Sequence, residues 1–316
     1  MPSTPADLAR QTIAQNERFL VVSHLRPDGD AVGSVLGLGL ALQAAGKDVL
    51  MVLEDGVPKS YRHLTGSEQI VRKADGRDRC TIVTDCSDQS RVGSVIPEDA
   101  QPVLNIDHHN TNLNFAAINV VDSDAAATCQ MLAVLLPAWG LPISREVAEA
   151  LLTGIITDTI GFRVASTSPA VLRTAADLFE HGADLPTLYA KALLRRSYEA
   201  VRYWGAGLSA LKLENRLLWT RLTLEDRRAV NYPGRDDADL VNILQTVEDA
   251  DVFVVFIEQN DGTVKVSWRA RPGFDVSQIA LHFGGGGHKP AAGASIRGSL
   301  DVVIQKVLTA TRPILR

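Results

Sequence analysis

Leu104-Asn105-Ile106-Asp107-His108-His109-Asn110 is the stretch on which the fold of this chain turns. Pro102 to Ile106 is a short, largely apolar run of strand character, and it stops abruptly on one carboxylate and two imidazoles. Three polar, metal-competent side chains are poor material for a core. At the carboxyl end of a strand they are well placed, because an open α/β sheet binds its ligands in the crevice outside that end. Two adjacent histidines also suit a plain solvated turn, so the other strand ends have to decide.

Working outward, the same grammar recurs. Phe19-Leu20-Val21-Val22-Ser23 is an apolar run that opens into His24-Leu25-Arg26-Pro27-Asp28-Gly29-Asp30. Cys80-Thr81-Ile82-Val83-Thr84 ends on Asp85, and Val49 to Leu53 is a further strand. Helical patterns separate them: Ala6 to Arg18, then a long helix from near Ala31, rich in small residues (Gly33, Gly37, Gly39), which Gly46 closes as a C-terminal cap. Ala125 to Leu136 and Arg145 to Thr157 read as helices, the second with Asp158 at its end, and Ser168-Pro169 caps and starts another. Strands alternating with helices predict a parallel sheet.

The pattern breaks around Gly182 to Pro186. Leu188 to Leu213 then reads as one basic helix with Lys191, Arg195, Arg196 and Arg202. Beyond it, Leu217 to Leu222 and Val252 to Glu258 are strands, Asp261-Gly262 turns the chain into a hairpin with Thr263 to Arg269, and Val276 to Phe283 is a helix that runs into Gly284-Gly285-Gly286-Gly287-His288. The expected architecture is α/β: a parallel-sheet domain over 1–185, a helical connector over 186–214 and a smaller α/β domain over 215–316.

Composition narrows the class. The chain has 316 residues, 46% hydrophobic and 22% charged, which excludes a mainly disordered protein. No apolar run is long enough to span a bilayer, and the polar, amphipathic stretch from Met1 to Arg18 has no signal-peptide pattern. Cys80, Cys86 and Cys129 show no CxxC spacing and fit reduced thiols in a cytoplasmic protein. The net charge of −5 argues against a broad basic face for duplex nucleic acid. It is unevenly spread: residues 186–316 carry 18 Lys+Arg against 14 Asp+Glu, and the first 185 carry 14 against 23. An acidic half suits metal loading and a basic half anion binding.

His24, Asp28, Asp30, Asp85 and His108 together offer hard oxygen and imidazole ligands, a mixture that suits Mn²⁺ and, less well, Mg²⁺. Taken alone, Pro27-Asp28-Gly29-Asp30 is also a polar turn with a helix cap. An EF-hand is excluded, since Val32 and Gly39 stand where an oxygen ligand and a glutamate are needed. The glycine run reads either as a flexible helix stop or as bare backbone able to turn its N–H groups on a phosphate, with Arg269 supplying a charge-assisted contact.

These residues resemble the motifs of the DHH phosphoesterases. Asp107-His108-His109 is similar to the triplet that names the family, Ser23-His24 through Ala31 to its first motif, Thr84-Asp85 to its second, and Thr153-Gly154-Ile155-Ile156-Thr157-Asp158-Thr159 to its fourth. Gly284 to His288 with Pro290-Ala291-Ala292-Gly293 resembles the DHH-associated substrate domain. The short two-domain form looks most like the nanoRNase/pAp phosphatases.

The resemblance implies two divalent ions, Mn²⁺ preferred and Mg²⁺ admissible. His24, Asp28 and Asp85 would hold one; Asp30, Asp85, His108 and Asp158 the other, with Asp85 bridging. His109 would lie beside the bound phosphate, and Asp107 would orient the neighbouring histidines. Arg269, Gly284, Gly285, Gly286, Gly287 and His288 would bind substrate. The implied substrates are very short RNA or DNA oligonucleotides and pAp, with cyclic dinucleotides as an alternative; no membrane is involved, and a homodimer stays open. A nucleotide-binding module with a vestigial metal site would require a lost ligand, and every ligand position carries a competent residue. Three positions depart from the family pattern: Ala270, Ile160 and Gln130.

Overall fold

The structure, a computed structural model, describes residues 3–97 and 100–315. It divides into two compact units, Met1–Arg195 and Arg196–Arg316. Among the described residues no helix is long and apolar enough to cross a membrane, and Cys80, Cys86 and Cys129 are buried and free.

The first unit begins with helix α1 (Pro5–Gln15), closed at its start by a capping box between Thr4 and Asp7. Strand β1 (Arg18–Val22), helix α2 (Gly29–Ala44), β2 (Asp48–Val52), β3 (Cys80–Thr84), β4 (Leu104–Asp107) and β5 (Ile118–Val121) follow, then helices α3 (Thr128–Ala138), α4 (Arg145–Asp158), α5 (Pro169–Glu180) and α6 (Leu185–Tyr189). The five strands form one wholly parallel sheet in the order β2-β1-β3-β4-β5. Phe19 and Val21 of β1 enter the core under the helices, while Leu20 and Val22 enter a second cluster with Val83, Cys86, Val92 and Ile96. Burial on both faces is why this strand reads as a continuous apolar run rather than an alternating one.

Helix α2 packs on α4 through a glycine face. A Cβ on Gly33 would lie 2.5 Å from the Ala150 carbonyl oxygen, and one on Gly37 2.6 Å from Leu151 Cδ2. At spacing i, i+4 the missing side chains fall on one side of the helix and bring the two backbones together. The C-cap is Ala45, and Gly46 follows in the left-handed region (φ +83°), as the sequence predicts.

The connector is not one helix. After α6 the chain makes a π-helical turn over Ala190–Leu194 and becomes extended at Arg195. A new helix, α7 (Tyr198–Ser209), starts where the Ser197 side chain accepts from the Ala200 N–H, and Lys212–Glu214 is strand β6. The apolar periodicity runs through this break; the serine cap is what stops it.

In the second unit, β7 (Leu217–Leu222), α8 (Leu224–Ala229), α9 (Leu240–Leu244), β8 (Val252–Glu258), β9 (Thr263–Ala270), α10 (Ser277–His282), β10 (Gly286–His288), β11 (Ala291–Arg297) and α11 (Leu300–Thr311) complete the chain. The sheet runs β10-β11-β9-β8-β7-β6, with β7 and β8 parallel and the other pairs antiparallel. The predicted hairpin is present, with Gly262 at φ +75°. Strands β10 and β11 escape a sequence reading because glycine and alanine carry little strand preference, and pairing alone holds them.

Candidate metal centre

In the first sheet, β1 leads through α2 to β2 on one side, and the chain then crosses to β3 on the other. Strand order reverses between β1 and β3, the place where such sheets bind ligands. His24 follows β1, Asp85 follows β3 and Asp107 ends β4, so sequence positions far apart arrive at one edge.

His24 is buried, and its Nδ1 lies 2.8 Å from the Leu25 carbonyl oxygen. A carbonyl only accepts, so Nδ1 carries the proton and Nε2 presents a lone pair. That lone pair faces Asp85 Oδ2 at 3.5 Å. Burial holds the His24 pKa below its ordinary value even though Asp28 pulls it upward, which keeps the ring in its neutral, ligating form. His108 repeats the arrangement. Its Nδ1 is 3.3 Å from the Ala125 carbonyl oxygen, and its Nε2 is 3.3 Å from Asp158 Oδ2, 3.7 Å from Asp85 Oδ1 and 3.9 Å from Asp30 Oδ2. Imidazole nitrogens set among several carboxyl oxygens at these distances fit ligands of a shared ion rather than ion pairs.

The carboxylates are positioned by separate elements. Asp28 is the N-cap of α2, and its Oδ1 accepts from the Asp30 and Ala31 N–H groups at 3.0 and 3.1 Å. The helix-cap and ligand readings are therefore compatible, because Oδ2 is not used in capping. Asp30, 1% exposed, accepts from the Thr128 N–H (2.7 Å) and the Cys129 N–H (2.9 Å) at the start of α3. Asp85 sits at φ +53°, a left-handed conformation unusual for a residue other than glycine. Burial, then the charges of Asp30, Asp28, Asp158 and Asp107, push its pKa well above the carboxylate range. Asp158, at the carbonyl end of α4, is raised by burial and by Asp30, Asp28 and Asp107. Two buried acids raised in this way by their acidic neighbours mark a place short of positive charge.

Three groups of ligand atoms lie within 4.8 Å of one another: His24, Asp28 and Asp85; Asp30, His108 and Asp158; and Asp85, His108 and His109. Asp85 belongs to two of them. Asp107 Oδ1 is 2.7 Å from His109 Nδ1, and its Oδ2 accepts from Asn112 Nδ2 at 2.6 Å. It reaches one histidine rather than both, since His108 Nδ1 faces a backbone carbonyl instead.

Several contributors give no signal in the sequence. Thr128 and Cys129 act through backbone N–H groups, and Asn112 also bonds Asn105 Oδ1 at 2.8 Å. Gly154 lies under Asp30: a Cβ there would be 2.7 Å from Asp30 Oδ1. Of the departures, Gln130 closes the start of α3 by accepting from the Ala126 N–H at 2.8 Å. Ile160 stands at φ +48° just after Asp158, a strained place for a β-branched side chain, which explains why glycine suits that position.

In the second unit, Arg269 lies opposite Ala291, and Ala291 opposite His288; the next row is Ser267, Gly293 and Gly286. Directly opposed residues share a sheet face, so Arg269, His288 and Gly286 lie on the same side. Burial lowers the Arg269 pKa while Asp237 and Asp239 oppose the shift. The four glycines have different causes. A Cβ on Gly285 would meet the Gly293 carbonyl oxygen at 2.1 Å, and one on Gly287, at φ +140°, the Ala291 carbonyl oxygen at 2.5 Å. Those two are required by the neighbouring strand. Gly284, at φ +74°, follows α10, and around Gly286 a Cβ would meet nothing within 4 Å.

Residues 18–155 match the DHH family N-terminal domain, and residues 230–311 match the DHHA1 domain. A Thermus thermophilus protein named bifunctional oligoribonuclease and PAP phosphatase NrnA is 39% identical over 297 residues, 92% of this chain and 88% of that one. A Mycoplasma genitalium protein of the same name is 27% identical over 305 residues, 93% of both chains. The crystal structure of an exopolyphosphatase-related protein from Bacteroides fragilis matches with a TM-score of 0.90 at 25% identity, over 98% of this chain and 97% of that one. With both domains in order and that identity along nearly its whole length, the chain belongs to the DHH phosphoesterase family, in the form that carries a DHHA1 domain.

Proposed function

We infer that this protein is a metal-dependent phosphoesterase that cuts very short oligoribonucleotides to mononucleotides and removes the 3′-phosphate of pAp. The carrying observation is the meeting of His24, Asp28, Asp30, Asp85, His108 and Asp158 at one sheet edge, with histidine lone pairs set against carboxylates. The Thermus relative that spans nearly the whole chain carries both activities in its name.

His24, Asp28 and Asp85 would hold one ion and Asp30, Asp85, His108 and Asp158 the other. Bound there, divalent ions would supply a water of lowered pKa and positive charge to stabilise the phosphoryl oxygens. The chain's own groups do the rest. Asp107 fixes His109 with Nδ1–H pointing at the carboxylate, so proton transfer or phosphate contact falls to Nε2. Asn112 in turn holds the far oxygen of Asp107. Arg269, His288 and the backbone around Gly286 bind the nucleotide, the guanidinium through a charge-assisted contact with a phosphate.

The test is a chelated preparation resupplied with Mn²⁺, Mg²⁺ or Ca²⁺ and offered pAp, dinucleotides, longer RNA and cyclic dinucleotides. Turnover of pAp and dinucleotides that vanishes on chelation and returns best with Mn²⁺ is expected. Hydrolysis of cyclic dinucleotides alone would reassign the substrate, and activity that survives chelation would overturn the metal reading.

A further inference from the structure

We propose that Thr128 is a positioning residue that fixes the orientation of Asp85, and through it the relation between the two metal groups. The inference rests on the metal reading above. Thr128 opens α3 and is wholly buried. Its backbone N–H donates to Asp30 Oδ2 at 2.7 Å, and its hydroxyl donates to Asp85 Oδ1 at 3.3 Å. One residue therefore ties together two carboxylates that come from different elements, α2 and the end of β3.

The hydroxyl matters because little else orients Asp85. The backbone N–H of Asp85 is committed to the Ile106 carbonyl oxygen at 2.9 Å. The imidazole nitrogens around its carboxylate stand at 3.5 to 3.7 Å, outside good hydrogen-bonding distance. The Thr128 hydroxyl, at 3.3 Å, approaches that carboxylate more closely than any of these nitrogens. The torsion that rotates a carboxylate is broad and two-fold, so a donor on one oxygen selects among its orientations. Held by Thr128, Oδ1 stays on the side of His108 and His109, and Oδ2 stays toward His24. That is the orientation a bridging carboxylate needs. A hydroxyl does this without adding charge, and each oxygen keeps a lone pair for an ion.

The experiment is calorimetric Mn²⁺ titration of the chelated full-length protein as wild type, Thr128→Val and Thr128→Ser, with melting of the metal-free forms alongside. Valine keeps the shape and loses the donor; serine keeps the donor. Loss of an outer partner of a ligand costs about 10–100-fold in metal affinity. Thr128→Val is expected to lose that much while its metal-free melting point stays close to wild type, and Thr128→Ser to bind within a few-fold of wild type. Equal affinity in wild type and Thr128→Val overturns the inference, as does a serine variant as weak as the valine one. If Thr128→Val does not fold, Thr128→Ala set against Thr128→Ser decides by the same comparison. A wild-type protein that takes up no Mn²⁺ removes the metal reading itself, an outcome distinct from wild-type uptake with an indifferent Thr128.

Discussion

Asp107 Oδ1 lies 2.7 Å from His109 Nδ1, and the same carboxylate is 0% exposed and held on its other oxygen by Asn112. Burial alone would raise the Asp107 pKa, but the bonds from His109 and Asn112 outweigh it and keep the group below its ordinary value. A carboxylate kept ionised in this way fixes both the tautomer and the direction of its histidine.

Asp107→Asn is therefore expected to keep its metal sites and lose turnover, because an amide can present His109 with a donor where it needs an acceptor. The loss in kcat should be about a hundredfold, the lower part of the range for positioned acid–base groups. Mn²⁺ titration should be nearly unchanged. Unaltered kcat would show that His109 needs no orienting partner.

Asp85 belongs to two ligand groups and Asp28 to one. Asp85→Ala should weaken uptake of both ions together, whereas Asp28→Ala should weaken mainly one. Calorimetric stoichiometry separates the cases. Loss of the same single site in both variants would end the bridging assignment.

The acid cluster also has a pH signature. The Asp85 and Asp158 pKa values are raised in the folded protein, so the folded state binds more protons than the unfolded one between the ordinary value of 3.8 and the raised values. Their contribution to stability is full at low pH and is lost as pH rises through the folded values. His24, lowered by burial, acts in the opposite sense below its ordinary 6.5. Asp158→Asn isolates the carboxylate: in chelator it should melt higher than wild type at a pH above the raised Asp158 value, with the gap closing as pH falls through that value. The stabilisation that Mn²⁺ gives the wild type should shrink over the same descent, since protons compete for carboxylates and imidazoles alike. A metal-free Asp158→Asn less stable than wild type at neutral pH would contradict the repulsion inferred here.

The strand ends were legible in the sequence because each is a run of apolar residues that stops on a metal-competent side chain. Phe19 to Ser23 before His24, and Cys80 to Thr84 before Asp85, need only their order to be read. What brings them together was not legible from pattern alone. Thr128 contributes a hydroxyl at a helix start and Asn112 an amide in a loop, and single residues of those kinds recur along any chain. Strand β10 consists of Gly286, Gly287 and His288, whose pairing with β11 no local preference announces. The expected Leu188–Leu213 helix is interrupted for the reverse reason: its apolar periodicity continues across Ser197, where a cap begins a new helix.

The glycine run supplies the last prediction, because the sequence treats its members alike and the structure does not. Gly287 has a left-handed backbone and a neighbour where its Cβ would go, so Gly287→Ala should lower the melting point whatever the substrate does. Around Gly286 a methyl group would meet nothing within 4 Å, and it would emerge on the face shared with Arg269 and His288. Gly286→Ala is thus expected to fold and bind Mn²⁺ as wild type while losing about tenfold in kcat/KM on dinucleotides, equivalent to ~1.4 kcal/mol. The loss should fall mainly on KM, and a small activated phosphodiester with no nucleoside should be cut at the wild-type rate. Wild-type kinetics for Gly286→Ala on dinucleotides would mean that the substrate does not approach this backbone, and the glycines would then serve only the pairing of β10 with β11.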